Sequence, residues 1–176
     1  MTWKIAASVY EVWKNFSLEV KEDLILNTGE TYHLIGANGA GKTSFLKQIL
    51  IPQLQSQSDR QYIFYLEQQT QNQLDAVKAY SALQKTAVEI LDFEQMLNYL
   101  TFLYQKALTD AFRPLLIISD ENPYSEKLAF WLEKLNRGDY CLIYVSHGIC
   151  AFDQSPNLRN ISLTLEKAGQ AKLTLL

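Results

Sequence analysis

Eight consecutive residues, Gly36-Ala37-Asn38-Gly39-Ala40-Gly41-Lys42-Thr43, have the types and spacing GxxxxGK[ST]. Glycines let a backbone curl until consecutive N–H groups face one point, and a helix starting there adds the positive end of its dipole. Such a loop cradles phosphates. Lys42 is then the cation for the β and γ phosphates, and the Thr43 hydroxyl is a ligand for Mg2+. Gly36, Asn38, Gly39, Ala40, Gly41 and the following Ser44 complete the anion-binding loop. The plainer alternative is a chance glycine turn, and the elements on either side decide between them.

Thr31–Ile35 reads as a strand running straight into Gly36, and Ser44–Ile51 is apolar at helical spacing until Pro52, which is expected to stop the helix. A strand, loop and helix is what the phosphate chemistry demands. Leu115–Ile118, just after Pro114, fits a central parallel strand buried on both faces, with Asp120 and Glu121 at its far end. Carboxylates placed there emerge at the C-terminal edge of the sheet, where ligands bind in open α/β folds. Asp120 would hold Mg2+ directly or through water, and Glu121 would polarise an attacking water. A solvated pair capping the next helix is the bland alternative. Tyr140–Val145 is another buried strand and leads to Ser146-His147-Gly148, so His147 reaches the same edge. Tyr62–Leu66 is followed by the polar run Glu67–Gln73, read as a surface loop, from which Gln68 or Gln69 is aimed at that edge.

The remaining segments frame this core. Trp3–Tyr10, Phe16–Val20 and Leu24–Leu26 look like antiparallel strands joined by tight turns, and Pro52–Arg60, rich in Gln and Ser, like a connecting loop. Residues 75–112 lack Gly and Pro, which predicts two or more helices with a break near Ser81–Thr86 or Asn98. Ser125–Asn136 reads as a helix with Gly138 as its stop signal, and Ile161–Leu165 and Lys172–Leu176 as a hairpin about Ala168-Gly169. The expected fold is one α/β domain over residues 1–176: a mostly parallel central sheet with helices on both faces, an N-terminal antiparallel β subdomain, and a reduced helical subdomain at 75–112.

Composition narrows the classes. The chain has 176 residues, 48% of them apolar, enough for an ordinary core, and its formal net charge of −3 removes the simplest electrostatic case for nucleic-acid binding. Cys141 and Cys150 lack CxxC spacing and there are two histidines in all, so neither a disulfide scaffold nor a histidine-rich metal site is expected. No apolar run approaches the roughly 18 residues that cross a bilayer, and Met1–Trp13 lacks a basic segment followed by an apolar block. A reduced, cytoplasmic, soluble chain is the expectation. Of seven glycines, three lie in Gly36–Gly41 and none lies between Lys42 and Arg137.

Taken in order, GANGAGKT, YLEQQ, LLIISDE and YVSHG resemble the Walker A, Q-loop, Walker B with adjacent glutamate, and switch histidine of ABC ATPase nucleotide-binding domains. The resemblance covers about residues 1–150, and Gly29-Glu30 ahead of the Walker A strand is also typical of that family. It implies a P-loop NTPase fold with ATP and Mg2+ at the sheet edge. Lys42 and the loop would then hold phosphates, Thr43, Asp120 and Gln68 Mg2+, and Glu121, His147 and Gln68 would serve hydrolysis. An aromatic on adenine is also implied, Tyr10 or Trp13, with a core role the alternative for either.

Two departures stand out. The family's LSGGQ signature is expected at the start of the helix leading to Walker B, around Met96–Thr101, where this chain reads MLNYLT without a glycine. After Walker B the usual aspartate-bearing loop is replaced by Asn122-Pro123-Tyr124-Ser125-Glu126. In an ABC dimer each ATP lies between Walker A of one subunit and the signature of the other, so the loss damages the partner's site. The resemblance thus implies a homodimer with two weakened sites, or a heterodimer with a second ATPase carrying LSGGQ. It further implies transmembrane subunits of a transporter as partners and a peripheral place on the cytoplasmic face of the membrane. The rival readings are a regulatory or structural ATP-binding subunit with little turnover, an ABC-like ATPase acting on nucleic acid, and a P-loop kinase. The acidic charge argues against the second, and the histidine after the last core strand against the third.

Overall fold

The computed structural model describes residues 2–57, 62–84, 88–107 and 114–176. Among these, ten strands form: β1 (Thr2–Ile5), β2 (Ser8–Trp13), β3 (Phe16–Val20), β4 (Leu24–Asn27), β5 (Thr31–Ile35), β6 (Tyr62–Leu66), β7 (Leu115–Asp120), β8 (Tyr140–Val145), β9 (Leu158–Lys167) and β10 (Gln170–Leu175). Eight of them make one sheet in the order β2-β3-β10-β9-β5-β8-β7-β6, while β1 and β4 pair antiparallel as a separate ribbon. From β9 through β5, β8 and β7 to β6 every pairing is parallel. The sheet becomes mixed at its other side, where β10 runs antiparallel to β9 and parallel to β3, and β2 antiparallel to β3.

Among the described residues five α-helical segments join the strands: α1 (Lys42–Ser44), α2 (Ile51–Gln57), α3 (Thr70–Leu83), α4 (Phe93–Ala107) and α5 (Ser125–Leu132). β7 shows how they are placed. All six of its residues are buried, which requires cover on both faces. Leu116 and Ile118 pack with Phe45, Leu46, Ile49, Leu50 and Leu54 of the helix after the glycine loop. Leu115 and Ile117, which the pleat turns the other way, pack with Leu74 of α3, Met96 and Leu97 of α4, and Leu128 and Trp131 of α5. The parallel sheet with helices on both faces is therefore as its patterning predicts.

Several local expectations change. Trp3–Tyr10 is two strands in different sheets, broken at Ala6-Ala7, where the Asp23 carboxylate accepts the Ala7 N–H (2.8 Å) and pairs with Lys4. Pro52 does not stop its helix. Its ring lacks an N–H and collides with a carbonyl four residues back in a regular α-turn. Here Phe45–Leu50 adopts the wider π spacing, the Ile51 N–H bonding the Leu46 carbonyl, and the helix continues through Pro52 to Gln57. The expected Pro52–Arg60 loop is thus helical over its first part, and residues 58–60 lie outside the described residues.

The polar run Glu67–Gln73 is loop only at its start, because α3 begins at Thr70, with Gln71 and Asn72 exposed and Thr70 buried. The predicted break after Ser81 falls where α3 ends, at Leu83; residues 85–87 lie outside the described residues, as do 108–112 of the expected helical stretch. Asn98 lies inside α4. α5 ends at Leu132, one turn before the expected Asn136, as Lys134 and Leu135 bond the carbonyls three residues back and tighten the chain.

Candidate functional site

β5, β8, β7 and β6 are consecutive in the sheet and parallel, so their C-terminal ends share one edge. Gly36, Ser146-His147, Glu121 and Glu67-Gln68 follow those four ends directly. Residues scattered over more than a hundred positions thereby meet.

In the glycine loop Ala40 N–H bonds Ala37 O (3.1 Å) and Phe45 N–H bonds Gly41 O (2.8 Å). Two of its glycines answer to the protein rather than to a ligand. A Cβ at Gly36 would lie 2.5 Å from the Leu163 carbonyl oxygen, and one at Gly41, whose φ is 96°, 2.6 Å from the Phe16 ring. Gly41→Ala is therefore expected to cost about 2 kcal/mol of folding stability from left-handed strain and overpacking; a urea midpoint equal to that of the unsubstituted chain would contradict this. A Cβ at Gly39 would meet nothing within 4 Å among the described residues, so this side of the loop is open. Lys42 is 6% exposed, and its ammonium donates to Gly36 O (2.8 Å) and Ala37 O (3.3 Å), which keeps it inside the loop.

Beside the loop a cleft of ≈ 280 Å³ brings Thr43 together with Lys47, Tyr65, Gln68, Asp120 and Glu121. The Tyr65 hydroxyl donates to Asp120 Oδ2 (2.5 Å), while Asp120 Oδ1 is buried without a hydrogen-bond partner among the described residues. Burial, then the bond to Asp120, push the Tyr65 hydroxyl up, so it remains protonated and donating. A buried carboxylate oxygen left unpaired is costly, and with the Thr43 hydroxyl it makes a set of hard oxygen donors suited to Mg2+. The residues present fit such an ion. Lys47 sits 5.0 Å over the Tyr65 ring and pairs with Glu67 at 2.8 Å.

Glu121 and His147 meet as Oε1 and Nε2 at 2.6 Å and line a second cleft, of ≈ 300 Å³, with Gln68. Glu121 has a φ of 51°, an uncommon conformation for a side chain with a Cβ, and its N–H bonds Val145 O across to β8 (3.1 Å). That backbone bond holds the carboxylate's strand end against the histidine's. Both glutamines are exposed and line the first cleft; Gln69 is tied back to α3 through Asn72 (2.9 Å), whereas Gln68 also lines the second. Of the two aromatics, Tyr10 packs on the core and donates its hydroxyl to Ala6 O (2.8 Å). Trp13 is 58% exposed and is paired in register with Phe16, the residue against Gly41.

Other residues of this edge escaped the sequence reading. The Asn122 amide donates to Glu67 O (2.9 Å) and Thr70 Oγ1 (3.2 Å), tying the end of β7 to the start of α3. Asp153 accepts the Cys150 N–H (2.8 Å) and the Tyr144 hydroxyl (2.7 Å), bonds that hold its carboxyl below the usual range and anchor the turn after His147. His33 stacks on Tyr144 at 4.3 Å and meets Ser146 Oγ at 3.3 Å. The one sequence signal for any of these was Asn122-Pro123 as a turn.

The signature region also needs correcting. α4 begins at Phe93, so Met96–Thr101 is not its start but its interior, with Met96, Leu97 and Tyr99 buried. Its N-terminus is closed by the chain itself: Asp92 Oδ1 accepts the Gln95 N–H (2.9 Å) and Gln95 Oε1 the Leu91 N–H (2.6 Å). This end carries a carboxylate where the resemblance implies glycine N–H groups.

A parallel α/β sheet with a GxxxxGK[ST] loop and carboxylates on one edge defines the P-loop nucleotide-binding class of protein. The family model described as ABC transporter matches residues 21–147, and the chain belongs to that family. Domains of the family bind ATP, typically with Mg2+, and are generally ATPases. No curated protein matches it. Among solved structures it is similar to a chain in a model of ribosome-bound archaeal Pelota and ABCE1, at 16% identity and a TM-score of 0.48 over 98% of this chain and 33% of that one. It spans about a third of that chain's length.

Proposed function

We propose that this chain hydrolyses ATP as the cytoplasmic motor subunit of a membrane transport or export complex, with turnover that depends on a second ATPase. The observation that carries the hydrolytic part is the Glu121–His147 pair at 2.6 Å beside the cleft holding Thr43 and Asp120. Lys42 and the loop N–H groups take the β and γ phosphates, and Trp13 or Tyr10 stacks on adenine. Thr43, Asp120 and Gln68 hold Mg2+, which when bound neutralises charge on the phosphate oxygens. Glu121 accepts the proton of the attacking water, and His147, bonded to it, fixes the carboxylate's direction.

Partner dependence rests on Asp92. In a nucleotide-sandwich dimer the start of α4 faces the other subunit's γ-phosphate, and a carboxylate there repels it. Two copies of this chain would make two poor sites, so the partner that donates glycines is a different ATPase. The same feature favours a second reading, a regulatory ATP-binding subunit with little turnover. For the transport role, a groove of ≈ 550 Å³ between the starts of α3, α4 and α5, edged by Gln68, Gln69 and Gln71, is of a size to seat a helix end of a membrane subunit. Among the described residues no helix is itself long and apolar enough to cross a membrane.

Phosphate release should be slow for the purified chain and at least tenfold faster in the complex recovered from membranes. Rapid turnover by the chain alone would overturn the dependence on a partner. An equally slow complex would leave the regulatory reading standing in its place.

A further inference from the structure

Tyr65 lies on β6 as the first residue of the YLEQQ run, and its hydroxyl makes the one hydrogen bond to the Asp120 carboxylate among the described residues. We propose that Tyr65 is a positioning residue for the divalent cation: it holds Oδ2 of Asp120 so that Oδ1 is the oxygen presented to the metal. The inference rests on the reading of Asp120 as a metal ligand.

The argument is geometric. A lone carboxylate at a strand end rotates about χ2 and offers either oxygen or both. With Oδ2 engaged by a phenol at 2.5 Å, rotation is arrested and Oδ1 is left buried and unpartnered. The phenol itself is braced. Tyr65 pairs in register with Ile118, two residues before Asp120 on the neighbouring strand. Its ring lies under the Lys47 ammonium at 5.0 Å, and Glu67 holds that ammonium at 2.8 Å. Gln73 of α3 donates to the Tyr65 carbonyl (2.5 Å) while accepting the Glu67 N–H (2.9 Å), which fastens the end of β6. Lys47 is four residues on from Thr43, one helical turn away on the same face, so the brace links the helix that carries one metal donor to the strand beside the other. Such outer partners set the direction and basicity of a ligand, and losing one costs metal affinity while leaving the ligand in place.

The test measures Mn2+ binding by electron paramagnetic resonance, in the presence of a non-hydrolysable ATP analogue. Nucleotide affinity in excess chelator is measured in parallel. Tyr65→Phe keeps the ring and the Lys47 contact and removes only the hydroxyl. It is expected to weaken Mn2+ binding about tenfold, with metal-free nucleotide affinity unchanged. Tyr65→His, which keeps a ring donor, should recover part of that loss, and Tyr65→Leu, which has no donor, stands in for the Phe variant if that does not fold. In an Asp120→Asn background the Tyr65 substitutions should have no further effect. Mn2+ affinity in Tyr65→Phe equal to that of the unsubstituted chain, or an equal loss in the Asp120→Asn background, overturns the proposal. If Asp120→Asn itself leaves Mn2+ binding unchanged, the metal-ligand reading fails first, and the two failures are told apart.

Discussion

Lys42→Ala is expected to abolish Mg-ATP binding at any practical concentration. The ammonium is buried and held inside the glycine loop by the Gly36 and Ala37 carbonyls. A triphosphate entering the loop exchanges those neutral acceptors for charged ones, the stronger partners for an ammonium. Removing one member of a buried charge pair costs roughly 3–5 kcal/mol, which is a loss of two to three orders of magnitude in affinity. Calorimetric titration with Mg-ATP measures it. Lys42→Arg is expected to rescue poorly, because a planar fork does not replace a point charge among carbonyls. Undiminished binding by Lys42→Ala would remove the assignment of the loop. The variant also leaves two carbonyls without their donor, so its thermal unfolding is compared first, and only a folded variant tests the chemistry.

Glu121→Gln is expected to lower turnover about 10²- to 10⁴-fold while leaving nucleotide binding intact. The amide oxygen can still accept from His147 Nε2, so the 2.6 Å contact has a neutral counterpart, but it does not take a proton from water. Nucleotide should therefore remain trapped in the complex, visible as ATP that co-purifies. Glu121→Gly separates chemistry from backbone. It should be as inactive as the amide, yet relief of the left-handed conformation at φ 51° should offset glycine's entropic cost and leave stability unchanged or up to about 1 kcal/mol higher. Turnover within twofold of the unsubstituted chain in either variant would displace Glu121 from the reaction.

Much of the edge was legible before any coordinates. Leu115–Ile118 is continuously apolar because both faces of its strand are covered, and the polar residues that end it mark where it leaves the sheet. The same logic puts His147 after β8 and Gln68 or Gln69 after β6, and the sheet brings these ends together. Reading failed where local and tertiary forces disagreed. Pro52 is a sound breaker signal, but apolar residues on both sides bury against the sheet, and the helix widens rather than ends. The glutamine-rich run Glu67–Gln73 suggests loop, yet Thr70–Gln73 is helical because α3 buries Leu74 and later turns against the sheet, and its first turn follows. The family resemblance puts the start of this helix around Met96, a turn later than Phe93, where an Asp-x-x-Gln cap at residues 92–95 begins α4.

By itself the sequence determined the phosphate loop, the parallel strands that end in polar residues, and the absence of glycine from 42 to 137. Each is a matter of spacing within a few residues, where backbone geometry and periodicity act. Only the tertiary structure decided that β3 lies beside β10, that Phe16 closes on Gly41, that Tyr65 reaches Asp120, and that Glu121 meets His147. Those contacts join residues 25 or more apart, and sheet order and register set them. Register in turn follows from how both faces of the sheet bury their apolar residues at once, a condition no short stretch of sequence contains.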